Sequence, residues 1–418
     1  MSDLKSLTPL DVPLSVAEDS STGVLVDVLA NDGKGAANES GQTLTITFVG
    51  TPSHGTAMLE SGKIRYTPTE SNYNGPDSFG YTITDNGTTN GVADPKSDSA
   101  TVNITVTPVN DKPSVARNNA SVTVNEGQTA SNSGTYSDVD GDNVGISASV
   151  GTVTKTGVDN GTWSWSFNTT DGPAQSQTVT ITANDGHGGT DTTTFALTVN
   201  NVKPTITNVT ATNTYAGPLA FMTSAISTFF TDPGADASWA NLLTFSDGGT
   251  ESGSGNASPI TLTHRFTTPA CKTVTSKITD KDGAFDTFGP TPVNVGTGEF
   301  LPPVTNTPVT NKLKNGQVLP VKVKLTDCNG VPVTGLNPAI ALKKGDLTSV
   351  GDDTVVAITP GSVSNADTTG IMRSSGDGSY IYNMSVNITL NTDYTLIVYP
   401  FGTGSPTQYL AHVIQATK

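Results

Sequence analysis

Three carboxylates alternate at Asp138, Asp140 and Asp142, with Gly141 between the last two. In an extended segment, residues two apart project to the same side. The three acids would then crowd together and repel one another without a cation. The ion that suits them is Ca2+, a hard cation that takes six to eight oxygens, mostly carboxylate and carbonyl. Gly141 permits a sharp turn that also brings carbonyl oxygens inward. A weaker version recurs at Asp280-Lys281-Asp282-Gly283, although an isolated Asp-Gly is first of all a turn signal. Other chemistry is missing. Four histidines (His54, His187, His264, His412) show no His-x-x-x-His spacing, and no G-x-S-x-G, P-loop or G-x-G-x-x-G before a helix appears. Cys271 and Cys328 are too few for a disulfide framework or a Cys-rich zinc site. They either form one bridge across 57 residues or stay two thiols. A glycosidase needs two carboxylates ~5–10 Å apart beside an aromatic-lined cleft, whereas these acids sit in turns beside glycine. The expectation is a chain without catalytic activity.

The elements that must position these acids are strands. Of 418 residues, 69 are Thr, 43 Gly and 25 Pro, while charged residues make up 14%. Branching at Cβ suits Thr and Val to a pleated surface, and the helix formers Glu, Lys and Ala are sparse. Alternating runs appear at Leu44–Val49, Ser78–Thr84, Thr162–Phe167, Lys272–Thr279, Val318–Leu325 and Tyr394–Tyr399. Trp163, Trp165 and Phe167 share one strand face, as core residues do. Phe221–Phe230 is apolar and reads as either a helix or a strand. The chain is punctuated by Val109-Asn110-Asp111-Lys112-Pro113 and by Val199-Asn200-Asn201-Val202-Lys203-Pro204, 91 residues apart. Such a period predicts tandem β-sandwiches of ~100 residues each. Pro302, Pro303 and Pro308 mark a third boundary, with Gly296–Pro308 expected as a linker or edge strand. The predicted fold is all-β: four tandem Ig-like or cadherin-like sandwiches at 1–112, 113–203, 204–298 and 299–418.

The net charge of −16 is uneven: −17 over residues 1–299 and +1 over 300–418. Phosphate contact needs clustered Lys and Arg, so nucleic acid is not an expected partner. No stretch of 18 apolar residues is present, so no membrane insertion is expected. No basic-then-apolar leader is visible at the N-terminus.

Several blocks resemble known modules. Block one resembles the bacterial cadherin-like repeat of large surface adhesins. The resemblance rests on Val16-Ala17-Glu18-Asp19, Val28-Leu29-Ala30-Asn31-Asp32, Tyr73-Asn74-Gly75-Pro76-Asp77-Ser78-Phe79, Tyr81-Thr82-Ile83-Thr84-Asp85 and Pro108-Val109-Asn110-Asp111. Block two is a looser cadherin-like or Ig-like version. It keeps Val124-Asn125-Glu126-Gly127, the Asp138–Asp142 run and Asn184-Asp185-Gly186. Block three resembles a PKD-type domain through Phe245-Ser246-Asp247-Gly248-Gly249 and His264-Arg265-Phe266. Block four resembles a C-terminal Pro-x-Lys-Phe module through Leu319-Pro320-Val321-Lys322-Val323 and Asp377-Gly378-Ser379-Tyr380-Ile381-Tyr382-Asn383.

The resemblance implies Ca2+ at the junctions between modules. The first junction would use Glu18, Asp85, Asn110, Asp111, Asp138, Asp140, Asp142 and Asp185. The second would use Glu126, Asn200 and Asn201, with Asp232 or Asp280 as weaker ligands. The expected function is an extracellular or cell-surface stalk or adhesin segment. Its partner would be a cell-surface or cell-wall polymer, a neighbouring protein, or another copy through self-association. Two rivals stand beside it. One is a carbohydrate-binding accessory region of a secreted hydrolase. The other is a self-assembling filament subunit that donates its first 14 or last 10 residues as a strand.

Overall fold

The computed structural model describes residues 14–34, 40–216, 220–221, 223–304, 311–314, 316–345, 355–356, 359–360, 370–385, 389–401 and 409–417. The described residues are almost all strand and loop, with a single 3-10 turn among them at Val28–Ala30. Among the described residues, no helix is long and apolar enough to cross a membrane. The chain divides into two compact units. One holds residues 1–122, 129–168 and 177–197. The other holds 123–128, 169–176 and 198–418.

In the first unit, one sandwich pairs a four-stranded sheet with a three-stranded sheet. The first has the order Leu14–Ala17, Ser97–Thr107, Gly75–Asp85, Leu44–Val49, and the second the order Val24–Val26, Lys63–Pro68, Gly55–Glu60. The strand Ser97–Thr107 shows why it forms. Val102, Ile104 and Val106 are buried, while Thr101, Asn103 and Thr105 face water. They meet Ile64, Tyr66, Phe79 and Ile83 in one core. The next sandwich has the sheets Ser114–Arg117, Thr129–Ser137, Asn160–Asn168, Thr152–Thr156 and Ser121–Asn125, Thr190–Asn200, Gln177–Asn184, Gly145–Ala148. Trp163 and Trp165 are its centre, at 0% and 1% exposure. Their indole N–H groups donate to the carbonyls of Ala116 (3.0 Å) and Val150 (2.6 Å). A Cβ at Gly134 would collide with Ala116 O and with the Trp163 ring, so glycine is required opposite that indole.

The second unit departs from the expected organisation. Phe285–Leu301 is one 17-residue strand. Phe285–Val295 pairs with Ala270–Thr279, and Thr297–Leu301 pairs with Val318–Thr326. Residues 296–301, expected as a linker or edge strand, are thus strand and not linker, with Gly298–Leu301 laddered to one neighbour in a sheet that blocks three and four share. Val293, Val295 and Phe300 turn into the cores, which is what holds the segment extended. Pro302 and Pro303 only end the strand, and Pro308 lies outside the described residues. Further ties follow. Thr214–Ala216 adds to the shared strand in parallel, and Ala220–Phe221 pairs with Tyr409–Thr417. Cys271 and Cys328 are joined in a disulfide. Ser224–Thr231 is a strand with period-two burial, which resolves the ambiguous apolar run. Tyr409–Thr417 is paired along both edges, to Asp393–Tyr399 and to Asn311–Lys314, so the last residues are already used within their own sheet. Of the other expected donor segment, the first 14 residues, all but Leu14 lie outside the described residues.

Candidate metal centre

At the end of Ser97–Thr107 the chain passes into the next sandwich, and the acids of the first junction gather there. Glu18 follows the strand Leu14–Ala17, which runs parallel to Ile104–Thr107 and so delivers it to that end. Its N–H donates to Thr107 O (3.1 Å), and its Oε1 accepts from Val109 N (2.8 Å). Asp111 donates its backbone N–H to Asp140 Oδ2 (2.7 Å). Asp138 Oδ1 accepts the N–H groups of Asp140 (2.9 Å) and Asp142 (3.3 Å), so the alternating run curls around its first carboxylate. Gly141 makes that curl at φ +79°. Asp185 Oδ1 accepts from His187 N (2.7 Å) and Gly189 N (3.0 Å), and its Oδ2 accepts from Asn110 Nδ2 (2.9 Å). That Asn110 bond, more than any other contact, holds the Asp185 carboxyl below the usual range. Carboxylate oxygens of Asp138, Asp142 and Asp185 lie within 4.8 Å of one another. His187 places Nδ1 2.9 Å from Asp142 Oδ2.

Three carboxylate oxygens here, Glu18 Oε2, Asp111 Oδ2 and Asp138 Oδ2, are buried and have no hydrogen-bond partner. Desolvation, reinforced by Asp19, Asp140, Glu18 and Asp138, pushes the Asp111 carboxyl up. Orphaned anionic oxygens are costly. A hard divalent cation is the ligand that satisfies several of them together. The donor set therefore fits Ca2+.

Asp85 does not join them. Gly75–Asp85 runs antiparallel to Ser97–Thr107, with Thr84 opposite Ser97. This puts Asp85 at the other end of the sandwich, roughly 34 Å away at ~3.4 Å per residue. There its Oδ1 accepts from Gly87 N (2.8 Å) and Lys96 N (2.9 Å), closing the loop between them.

The second junction repeats the plan. Glu126 N–H donates to Asn200 O (3.0 Å), and its Oε1 accepts from Val202 N (2.7 Å). Asn201 Nδ2 donates to Asp280 Oδ2 (3.1 Å), as Asn110 does to Asp185. Asp280 Oδ1 accepts from Asp282 N and Ala284 N, as Asp185 does from His187 and Gly189. Asp232 Oδ1 accepts from Gly234 N (3.1 Å), as Asp138 does from Asp140. Asp286 accepts from Ile206 N as Asp191 does from Val115 N. Spacing then equates Asp142 with Asp236, Asp140 with Gly234, Asp111 with Val202, and Gly186 with Lys281. Glu126, Asp232 and Asp236 form one close carboxylate group. Burial, reinforced by Asp236 and Asp232, pushes Glu126 up. Asn200 stands aside, its Nδ2 donating to Asn125 Oδ1 at 3.3 Å. The sequence reading missed Asp236 and Asp171. The Asp-x-x-x-Asp spacing shared by 138/142 and 232/236 was the available signal for Asp236.

Elsewhere, His264 has both ring nitrogens against carboxylates, Asp247 Oδ2 (3.2 Å) and Glu251 Oε1 (3.0 Å). Its ring stacks on Phe245 at 3.9 Å, so it braces the turn after Trp239–Phe245. A groove lined by six Ser and Thr side chains, with Asn119, Asn132 and an edge of Trp165, carries no titratable group.

The chain is similar to extracellular cadherin domains 1–5 of protocadherin gamma B2, at 13% identity over 97% of this chain and 79% of that one, TM-score 0.33. It is also similar to mouse cadherin-23 EC22–24 at 17% identity over 70% and 97%, TM-score 0.34. A third similar structure is the N-terminal eight Ig domains of Down syndrome cell adhesion molecule, at 13% identity over 90% and 47%, TM-score 0.25. Among curated proteins nothing matches the chain. The family model for the bacterial Ig domain matches it twice, at residues 7–107 and 110–198.

Proposed function

We propose that this chain is an extracellular structural or adhesive stalk segment whose first junction is stiffened by Ca2+. The observation that carries the reading is the trio of orphaned buried oxygens on Glu18, Asp111 and Asp138, which come from three separate segments. Bound Ca2+ would neutralise their charge and hold those segments together. Asn110, Asp140, Asp142 and Asp185 would complete or orient the ligand set. The second junction would be a weaker relative built on Glu126, Asn201, Asp232 and Asp280. Asn200 and Asp85 drop out of the ligand sets. The four blocks remain the proposed modules, with 204–298 and 299–418 joined through their common strand.

The disulfide supports an oxidising, extracellular setting. The two bacterial Ig domain matches support a surface module. A non-catalytic role is supported by how the acids are used. The carboxylates of Asp77, Asp85, Asp138, Asp185 and Asp280 all accept backbone N–H groups and serve architecture. The carbohydrate-binding rival loses its aromatic platform, because Trp163 and Trp165 are interior. Attachment to an acidic polymer or a neighbouring protein is assigned to block four, where Lys312, Lys314 and Lys344 are exposed. The test is calcium titration with melting curves and small-angle scattering. The reading predicts a higher melting temperature and a stiffer particle in millimolar calcium than in chelator. Identical curves in both would end it.

A further inference from the structure

The second junction differs from the first in carrying a cation of its own. Relative to the first, Val202 stands for Asp111 and Gly234 for Asp140, which removes two carboxylates, while Asp282 stands for His187 and Asp171 joins from another loop. Lys281 stands for Gly186, so an ammonium has arrived. Lys281 Nζ lies 2.7 Å from Asp171 Oδ1, 3.0 Å from Asp236 Oδ1 and 2.6 Å from Asp282 Oδ2. Carboxylate oxygens of those three residues lie within 4.8 Å of one another, the same kind of grouping as Asp138, Asp142 and Asp185 in the first junction. Asp236 is fully buried at 0% exposure, neither of its carboxylate oxygens has a hydrogen-bond partner, and its contact with Lys281 is an ion pair. Such a carboxylate is costly unless a cation sits beside it.

We propose that the Lys281 ammonium takes the place of a metal ion among Asp171, Asp236 and Asp282, so that this part of the second junction is held by a tethered cation and needs no added calcium. The geometry fits the role. The three acids come from different segments: the loop after Asn160–Asn168, the loop before Trp239–Phe245, and the turn after Ala270–Thr279. One positive charge contacting all three ties those segments as a bound ion would. It does so at any calcium concentration, because the charge is part of the chain. The contacts to Asp171 and Asp282 in turn hold the lysine firmly protonated. This inference extends the stalk reading, in which calcium acts at the first junction, and its test separates the two.

The experiment is hydrogen exchange on the full chain, in calcium and in chelator, for wild type, Lys281→Met and Lys281→Arg. Peptides over 107–112 and 137–142 report the first junction; those over 169–176, 232–236 and 280–284 report the second. In wild type, chelation should speed exchange strongly at the first junction and much less at the second. In Lys281→Met, chelation should speed exchange at the second junction roughly tenfold. Calcium should restore it, and calorimetry should count one more bound calcium per chain than in wild type. Lys281→Arg should behave like wild type. The proposal is overturned if chelation opens both wild-type junctions equally. It is also overturned if Lys281→Met keeps wild-type protection in chelator, or loses it without rescue by calcium. If instead the first-junction peptides ignore calcium in every protein, the calcium reading of the stalk fails while the Lys281 outcomes still decide this one.

Discussion

The acid-lined junction of the first unit and the seam between blocks three and four solve one problem by different means. Each must hold consecutive sandwiches together. At the first junction the connections are side-chain bonds to a short linker: Glu18 to Val109, Asp140 to Asp111 and Asp185 to Asn110. All three acceptors are carboxylates, and their neighbours include oxygens with nothing to bind. At the seam the connections are main-chain and covalent. Phe285–Leu301 runs through both cores, Thr214–Ala216 and Ala220–Phe221 add backbone ladders, and Cys271–Cys328 closes a loop of 57 residues. Charge at close range is strong but depends on what else is in solution. A shared strand and a disulfide depend on neither salt nor calcium. On the proposed calcium reading, the first junction is conditional and the seam is not.

The largest effect that probes this contrast is at the seam. Replacing both Cys271 and Cys328 by serine should lower the stability of the second unit by about 4 kcal/mol, the chain-entropy value for a 57-residue loop. The loss should be the same in calcium and in chelator, as read from denaturant midpoints. A loss that calcium reverses would show the seam to be conditional after all.

Next in size is calcium at the first junction. A ligand that binds only the native state stabilises it by about 2.7 kcal/mol at a hundredfold excess over its dissociation constant. Asp138→Asn should remove most of that gain, because Asp138 offers a buried orphaned oxygen and lies within 4.8 Å of its partners in Asp142 and Asp185. Asp140 is the middle member of the alternating run. In the structure Asp140 is exposed and already serves Asp111 N–H. If Asp140→Asn abolishes calcium-dependent melting shifts while Asp138→Asn leaves them intact, the ligand assignment is wrong.

The strands were legible because period-two burial is written in residue types, as in Ser97–Thr107 and in Asn160–Asn168 with its two tryptophans. The linkers were legible from Asn-Asp-Lys-Pro and Asn-Asn-Val-Lys-Pro. The shared strand was not. Gly296 and Gly298 beside two prolines look like linker composition, yet Gly296 is there because a Cβ would strike Thr326 O across the ladder. Asp85 misled for a related reason. Its Thr-Ile-Thr-Asp context marks a strand end, but only the antiparallel register tells which end of the sandwich that is. The second junction was half legible. Asp280 and Asn201 stood in recognisable motifs, whereas Asp236 has no carboxylate between it and Asp232, and Asp171 comes from a loop whose sequence announces nothing.

The smallest effect is the sharpest discriminator, because it should change sign with calcium. Desolvation and neighbouring acids raise the Asp111 carboxyl above its ordinary value. A carboxyl raised on folding favours the folded state when protonated, so its contribution is present below the unfolded pKa and lost as pH rises through the folded one. In chelator at neutral pH, ionised Asp111 therefore works against the fold. Asp111→Asn should then stabilise the chain slightly, by roughly a few tenths of a kcal/mol after surface screening. That advantage should fade as pH falls through the acidic range, where the wild-type carboxyl takes up its proton. In millimolar calcium the same substitution should destabilise, because it removes one of the three orphaned oxygens offered to the ion. Melting temperatures of the two proteins at neutral pH, measured with calcium and with chelator, should cross. If Asp111→Asn lowers the melting temperature in both, Asp111 supports the junction without a metal, and the conditional character assigned to it is lost.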